Sequence, residues 1–209
     1  MDFEDDQHVD GLIDRLTQYL TAYPNNPQMY YNLGLAYLKQ NSLDEAEASF
    51  KTALEMEPNL VEALINLGGL YLRRQMPEEA LAANKKALEI NPQAILAYNN
   101  IGFAHLIQGR LDEAAVAFRE ALSHKPDLIP ARLSLARILT QQGNLNGAMA
   151  EYQTILKQDP GFALAHYNLA LVHLAQNDAE LAETHYREAM ALRFPVDQEI
   201  EQKIKALKG

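Results

Sequence analysis

Few of the residues able to do chemistry stand where chemistry would need them. The chain has no cysteine, which excludes disulfides, thiolate zinc sites and a cysteine nucleophile. His166 and His173 lie seven residues apart, two turns or about 10.5 Å along a helix, too far to share an ion. His105 and His173 take a place that holds an aromatic elsewhere and read as core substitutions. The acidic pairs Asp44-Glu45, Glu78-Glu79 and Asp112-Glu113 fall at helix starts, where negative charge suits the dipole. No glycine-rich phosphate loop, nucleophile motif or opposed carboxylate pair is present. The residues therefore predict no enzyme, no metal and no cofactor. What the polar residues do show is a spacing. Asn32, Asn66 and Asn100 are 34 apart, and Asn168 follows two periods later, with Ser134 in the place between. A carboxamide donates and accepts, so a row of them can hold a peptide backbone whatever its side chains. The same row can instead bond to the adjacent unit of the chain.

The elements that carry those asparagines repeat with them. Asn32-Leu33-Gly34-Leu35-Ala36-Tyr37 returns as Asn66-Leu67-Gly68-Gly69-Leu70-Tyr71 and as Asn100-Ile101-Gly102-Phe103-Ala104-His105. Pro24, Pro58, Pro92, Pro126 and Pro160 keep the same step. Self-similarity at this period predicts stacked supersecondary units rather than one closed globule. Five units follow from it, 27–60, 61–94, 95–128, 129–162 and 163–196. Each holds a helix A at positions 2–14 and a helix B at about 18–31. Asn41, Gln75, Gly109, Gly143 and Asn177 mark the break between them; glycine and asparagine tolerate the left-handed residue that ends a helix, and only Gln75 departs. Ser42-Leu43-Asp44-Glu45 fits a capping box. Each proline biases the residue before it away from the helical region and so stops helix B. Residues 1–26 are expected to form an acidic, frayed tail over 1–8 and a capping helix over 9–22. Residues 197–209 are expected to form a solvating C-terminal helix, with Val196, Ile200, Ile204 and Leu207 on one side.

Composition agrees with a chain that buries a core without entering a membrane. Of 209 residues, 48% are hydrophobic and 22% charged, and no apolar run approaches the roughly 18 residues of a span. A net charge of -10 argues against nucleic acid, which needs a basic face. Met1-Asp2-Phe3-Glu4-Asp5-Asp6 is too acidic for the start of a signal peptide, and the cytoplasm is the expected location.

Within helix A, positions 4, 7, 8 and 11 form one stripe, in the first unit Tyr30, Leu33, Gly34 and Tyr37. Glycine inside a helix costs about 1 kcal/mol against alanine, so Gly34, Gly68 and Gly102 predict close approach of helix B. Small residues face them there (Ala46, Ala80, Ala114, Ala148, Ala182) beside a large aromatic (Phe50, Phe118, Tyr152, Tyr186). Asn84 replaces that aromatic in the second unit and is expected to weaken it. This pattern resembles the tetratricopeptide repeat family over nearly the whole chain. Arg132, His166, Leu139 and His173 depart from the family's aromatic places. The resemblance implies an all-α, right-handed superhelix of antiparallel helix pairs, about twelve helices in all. It further implies that the A helices line a concave groove that receives partner segments. The asparagine row is similar to the ladder in the repeat region of O-GlcNAc transferase. Nothing resembles the carboxylate clamp of heat-shock co-chaperones, because Tyr31, Ile65, Gln28, Glu62 and asparagines stand where its lysines and arginine would be.

A second stripe on the A helices, at positions 5, 9 and 12, is greasier than pairing with helix B requires. The groove residues expected from it and from the asparagines are Tyr31, Asn32, Leu35, Ile65, Asn66, Asn99, Asn100, Phe103, Leu133, Arg137, Tyr167, Asn168 and Leu171. Contiguous exposed apolar surface marks an interaction site. A non-catalytic adaptor or assembly scaffold that holds a partner's peptide segment follows. Self-assembly into a homo-oligomer, or service as a recruiting module for an enzyme on another chain, are the alternatives.

Overall fold

The structure, a computed structural model, describes residues 3–208; the first two residues of the expected acidic tail lie outside it. Those residues form twelve α-helices, and no strand occurs among them. In chain order they are α1 (Phe3–Ala22), α2 (Pro27–Gln40), α3 (Leu43–Met56), α4 (Val61–Arg73), α5 (Pro77–Ile90) and α6 (Ile95–Ile107). Then come α7 (Leu111–His124), α8 (Ile129–Gln141), α9 (Leu145–Gln158), α10 (Ala163–Ala175), α11 (Ala179–Ala191) and α12 (Gln198–Lys208). The chain falls into two compact halves, one holding α1–α6 and the other α7–α12. In each, helices adjacent in sequence pack on one another, so the fold is a solenoid of helix pairs.

The helix ends follow the repeated residues. Asn41, Gln75, Gly109, Gly143 and Asn177 all adopt positive φ, between 58° and 76°. Gln75 takes the left-handed conformation without being glycine or asparagine. Glu57, Asn91 and Asp159 precede the prolines or their turns with extended backbone, φ near -130°, as a residue before proline prefers. The last repeat lacks that proline at 194, and α11 ends instead on a left-handed Arg193, with Phe194 N–H donating to the Ala189 carbonyl at 3.0 Å. Two ends differ from expectation. Helix α1 starts at Phe3 rather than at residue 9, so the acidic residues form its first turns. Ser42 caps nothing with its side chain; its Oγ donates to Gln40 Oε1 at 2.9 Å. Side-chain caps come from Asn26, Asn144 and Asp178.

The core is built of alanines and one large side chain per repeat. Ala46, Ala80, Ala114, Ala148 and Ala182 are fully buried, as are Phe50 and Phe118, while Tyr152 and Tyr186 are nearly so. The close approach at the glycines is direct: a Cβ on Gly34 would stand 2.6 Å from the Phe50 ring, and one on Gly68 2.0 Å from Asn84 Nδ2. Asn84 is buried without being orphaned. Its Nδ2 donates to the Ala80 carbonyl at 2.8 Å, and its Oδ1 accepts from Asn100 Nδ2 at 3.1 Å. At the end of the second half, Ile200 and Ile204 of α12 cover Ala170, Ala182 and Tyr186.

Candidate functional site

The A helices carry the asparagines at one register position, Asn32, Asn66 and Asn100 in the first half and Asn168 in the second, and the structure gives them different work. Asn66 Nδ2 donates to the Tyr31 hydroxyl at 3.2 Å and to the Glu62 carbonyl at 2.8 Å. Asn100 Nδ2 donates to the Ile65 carbonyl at 3.2 Å, besides its bond to Asn84. Both amide protons of each are thereby used inside the chain, and each ties its helix to the preceding repeat. Asn32 Oδ1 accepts from Gln28 Nε2. Asn168 Nδ2 and Asn99 Oδ1, by contrast, have no partner within the chain. The Tyr31 ring lies against Phe50, centroids 5.8 Å apart. Burial, and then the Glu62 carboxylate, push its hydroxyl pKa above the usual tyrosine value, with the Asn66 bond acting in the opposite direction.

None of the thirteen residues expected in the groove is buried: Leu35 and Arg137 are exposed, and the other eleven are half-buried. They do not form one free surface, however. Ile65 packs beside Leu64, Ala87 and Ala97. Tyr167 stands against Phe194, ring centroids 5.2 Å apart, and Leu171 packs on the α12 cluster. Tyr167 and Leu171, expected in the groove, thus share their surface with the chain's own C-terminal segment and stay half-buried. Arg132 is similarly engaged, by Glu151 and by the Pro126 carbonyl, and Arg73 donates to Asn41 Oδ1 at 2.6 Å. Tyr31, Asn32, Leu35, Ile65, Asn66, Asn99, Asn100 and Phe103 belong to the first half; Leu133, Arg137, Tyr167, Asn168 and Leu171 belong to the second.

An open apolar cleft lies where the periodic pattern begins. A cleft of about 490 Å³ between α1 and α2 is floored by Val9, Leu12, Leu16, Leu35 and Ala36, with His8, Arg15, Asn32 and Lys39 around it. Helix α1 packs through Val9 and Leu20, which are buried, and leaves Leu12 40% exposed. Asn32 and Leu35 were expected here; the contribution of Val9, Leu12, Arg15 and Leu16 was not. The signal was Leu12 and Leu16, one turn apart on a helix whose remaining apolar residues suffice for packing.

Models of the tetratricopeptide repeat match residues 105–160, and 13–59, 31–95 and 133–193. The chain belongs to the tetratricopeptide repeat family, whose members are in general protein-interaction scaffolds. It matches no curated protein. Among solved structures it is similar to PilW, a widely conserved type IV pilus biogenesis factor, at 23% identity and a TM-score of 0.81, over 96% of this chain and 92% of that one. It is similar to YrrB, described as a TPR protein with an unusual peptide-binding site, at 22% identity and TM-score 0.72, over 93% and 98%. MamA from Desulfovibrio magneticus RS-1 follows at 20% identity and TM-score 0.73, over 80% and 94%. At these identities the likeness is one of fold. No described helix is long and apolar enough to cross a membrane.

Proposed function

We propose that this protein is a non-catalytic adaptor or assembly scaffold that receives a peptide segment of a partner protein on the exposed side of its A helices. The observation that carries this reading is the cleft between α1 and α2, whose floor of leucine, valine and alanine is open to solvent. Leu12 and Leu35 stay 40% and 37% exposed there, although the neighbouring helices are otherwise well packed. Apolar side chains of the bound segment would supply affinity by filling that floor. Polar groups would set direction, among them Asn32, Arg15 and Lys39 around the cleft. YrrB, of similar fold, carries a peptide-binding site, which fits this use of the architecture. The test is titration of a partner captured from source lysate against the wild type, Leu12→Asp and Leu35→Asp. Each substitution is expected to weaken binding about tenfold or more, or about 1.4 kcal/mol, with the thermal melt unchanged because both side chains are exposed. Wild-type affinity in both variants would exclude this cleft as the docking site.

A further inference from the structure

The cleft between α1 and α2 reproduces, in register, the seat that a helix A fills elsewhere in the chain. Pro24 keeps step with Pro58 and its successors, so α1 takes the place of a helix B and its residues answer to those 34 later. Leu12 then stands where Ala46 stands in the first complete repeat, and Leu16 where Phe50 does. In the complete repeats these places lie under the helix A of the same repeat. Ala46, Ala80 and Phe50 are fully buried. Gly34 of α2 comes so close to the Phe50 ring that a Cβ there would meet it at 2.6 Å. Ala170 of α10 packs likewise with Ala182 and Tyr186 of α11. On α1 the corresponding face is open: Leu12 is 40% exposed and Leu16 half-buried.

The α2 wall carries the same signature. At the place of Asn32, Asn66 donates to the Tyr31 hydroxyl and Asn100 to the Ile65 carbonyl, each on the preceding helix A. Asn32 meets only Gln28 of its own helix by the bond given above. Both walls of the cleft are helices, whose backbone groups are bonded within them, so an extended segment finds no strand edge to join. A helix brings its own backbone bonds and needs only side chains to fill the floor. Charge around the floor selects further. His8, Arg15 and Lys39 stand around it, and no carboxylate is among its described lining residues, in a chain whose net charge is -10.

We propose that this cleft takes an acidic amphipathic α-helix of a partner protein, seated as a helix A is seated in the complete repeats. The proposal rests on the reading of the cleft as the docking surface and names the segment it receives. Apolar side chains at i, i+3, i+4 and i+7 of the incoming helix cover Leu12, Leu16 and Leu35. Carboxylates on its flanks meet Arg15 and Lys39, fixing its direction and rejecting basic helices. Leucine at 12, in place of the alanine of later repeats, asks for a small residue opposite it. A second copy of the chain is a poorer match. Ile200 and Ile204 of its α12 are already seated on Ala170, Ala182 and Tyr186, and Lys203, Lys205 and Lys208 would bring positive charge to a basic rim. A two-fold contact of cleft on cleft would set Arg15 and Lys39 against their own copies.

Three labelled synthetic peptides of about 15 residues, a length at which a helix is marginal alone, test this by fluorescence anisotropy with the full chain. The first carries leucine and alanine at helical spacing with glutamate elsewhere. The second has lysine for every glutamate, and the third has a central proline, which breaks the helix. The glutamate helix is expected to bind at least tenfold more tightly than either, and to lose about tenfold or more in Leu12→Asp. Arg15→Glu, at an exposed side chain, is expected to shift the preference toward the lysine peptide. Equal binding of the lysine peptide to the wild type would overturn the acidic partner. Binding of the proline peptide that equals the glutamate helix and is lost in Leu12→Asp would overturn the helical seat while keeping the cleft as a docking surface. No binding of the glutamate helix, with a captured partner still lost in Leu12→Asp, would have the same consequence; a partner indifferent to that change would remove both readings. A wild-type dimer in sedimentation that Leu12→Asp dissolves would assign the cleft to a second copy and overturn the proposal.

Discussion

Gly34 has no side chain, and the Phe50 ring uses the space. Alanine at 34 would improve helix propensity by about 1 kcal/mol, yet its Cβ would meet the ring at 2.6 Å. Phe50 is fully buried and cannot swing away, and overpacking of this kind costs about 1–3 kcal/mol. Gly34→Ala is therefore expected to lose about 1–2 kcal/mol in urea unfolding, the clash outweighing the propensity. Combined with Phe50→Leu, it should cost less than the two single changes added together, since contacting sites are not additive. A strictly additive double mutant would place the ring elsewhere. At the equivalent place over Gly68 the buried side chain is Asn84, and here the expectation of a weakened repeat gives way to a polar tie between neighbours. Asn84→Ala leaves one amide proton of Asn100 without its acceptor and should cost about 1–3 kcal/mol, read by the same unfolding experiment. Asparagine at this place could be seen in the sequence. Its partner could not, because Asn100 offers the same carboxamide to a ligand or to a neighbouring repeat.

Between elements, what holds one pair to the next is partly charged. Glu47 on α3 accepts from the Tyr71 hydroxyl at 3.2 Å, from Lys51 at 2.6 Å and from Arg74, which caps the end of α4 and also pairs with Asp44. The Lys51 bond, with Arg74 and Tyr71 helping and burial opposing, holds the Glu47 carboxyl below its ordinary pKa. The native state therefore gives up this proton more readily than the unfolded chain. That contribution is complete above the ordinary carboxylate value of about 4.3 and is lost as pH falls through the lower, folded value. Glu47→Gln should flatten the acid side of the stability profile, while costing only about 1 kcal/mol near neutrality, where solvent screens the pair. Urea midpoints from about pH 6 down to about pH 3, compared with wild type, measure this; an unchanged acid limb would assign the loss to other carboxylates. The order of helices and the residues that end them were legible, because each was written five times and the left-handed and pre-proline requirements act locally. Arg193 and the first turns of α1 were not, since both lie where the register slips or has no second copy to compare.

For the whole molecule, the interior face of a repeat is specified by its neighbouring repeats, whereas α1 and α12 stand outside the five 34-residue units. This is why the second apolar stripe could be found in the sequence but not divided between packing and binding. Leu12 and Leu35 stay open between α1 and α2, whereas Tyr167 and Leu171, of the same stripe, meet Phe194 and the α12 cluster. Periodicity reports that a position is apolar, and the aperiodic ends decide what lies over it. The same dependence yields a prediction about cooperativity. In a stacked array stability is a sum of repeat terms and nearest-neighbour interfaces, so damage at one end should spread by contact rather than collapse the chain. Removing residues 197–209 uncovers Ala170, Ala182 and Tyr186, all buried under Ile200 and Ile204. It also deletes the Asp197 carbonyl that accepts from the Tyr186 hydroxyl at 3.2 Å. Amides of α10 and α11 are expected to lose most of their hydrogen-exchange protection in the truncated chain, while those of α2–α5, which belong to the other compact half, retain theirs. Uniform loss of protection along the chain would instead mean that the helix pairs unfold as a single block, and the neighbour-by-neighbour account of the solenoid would fail.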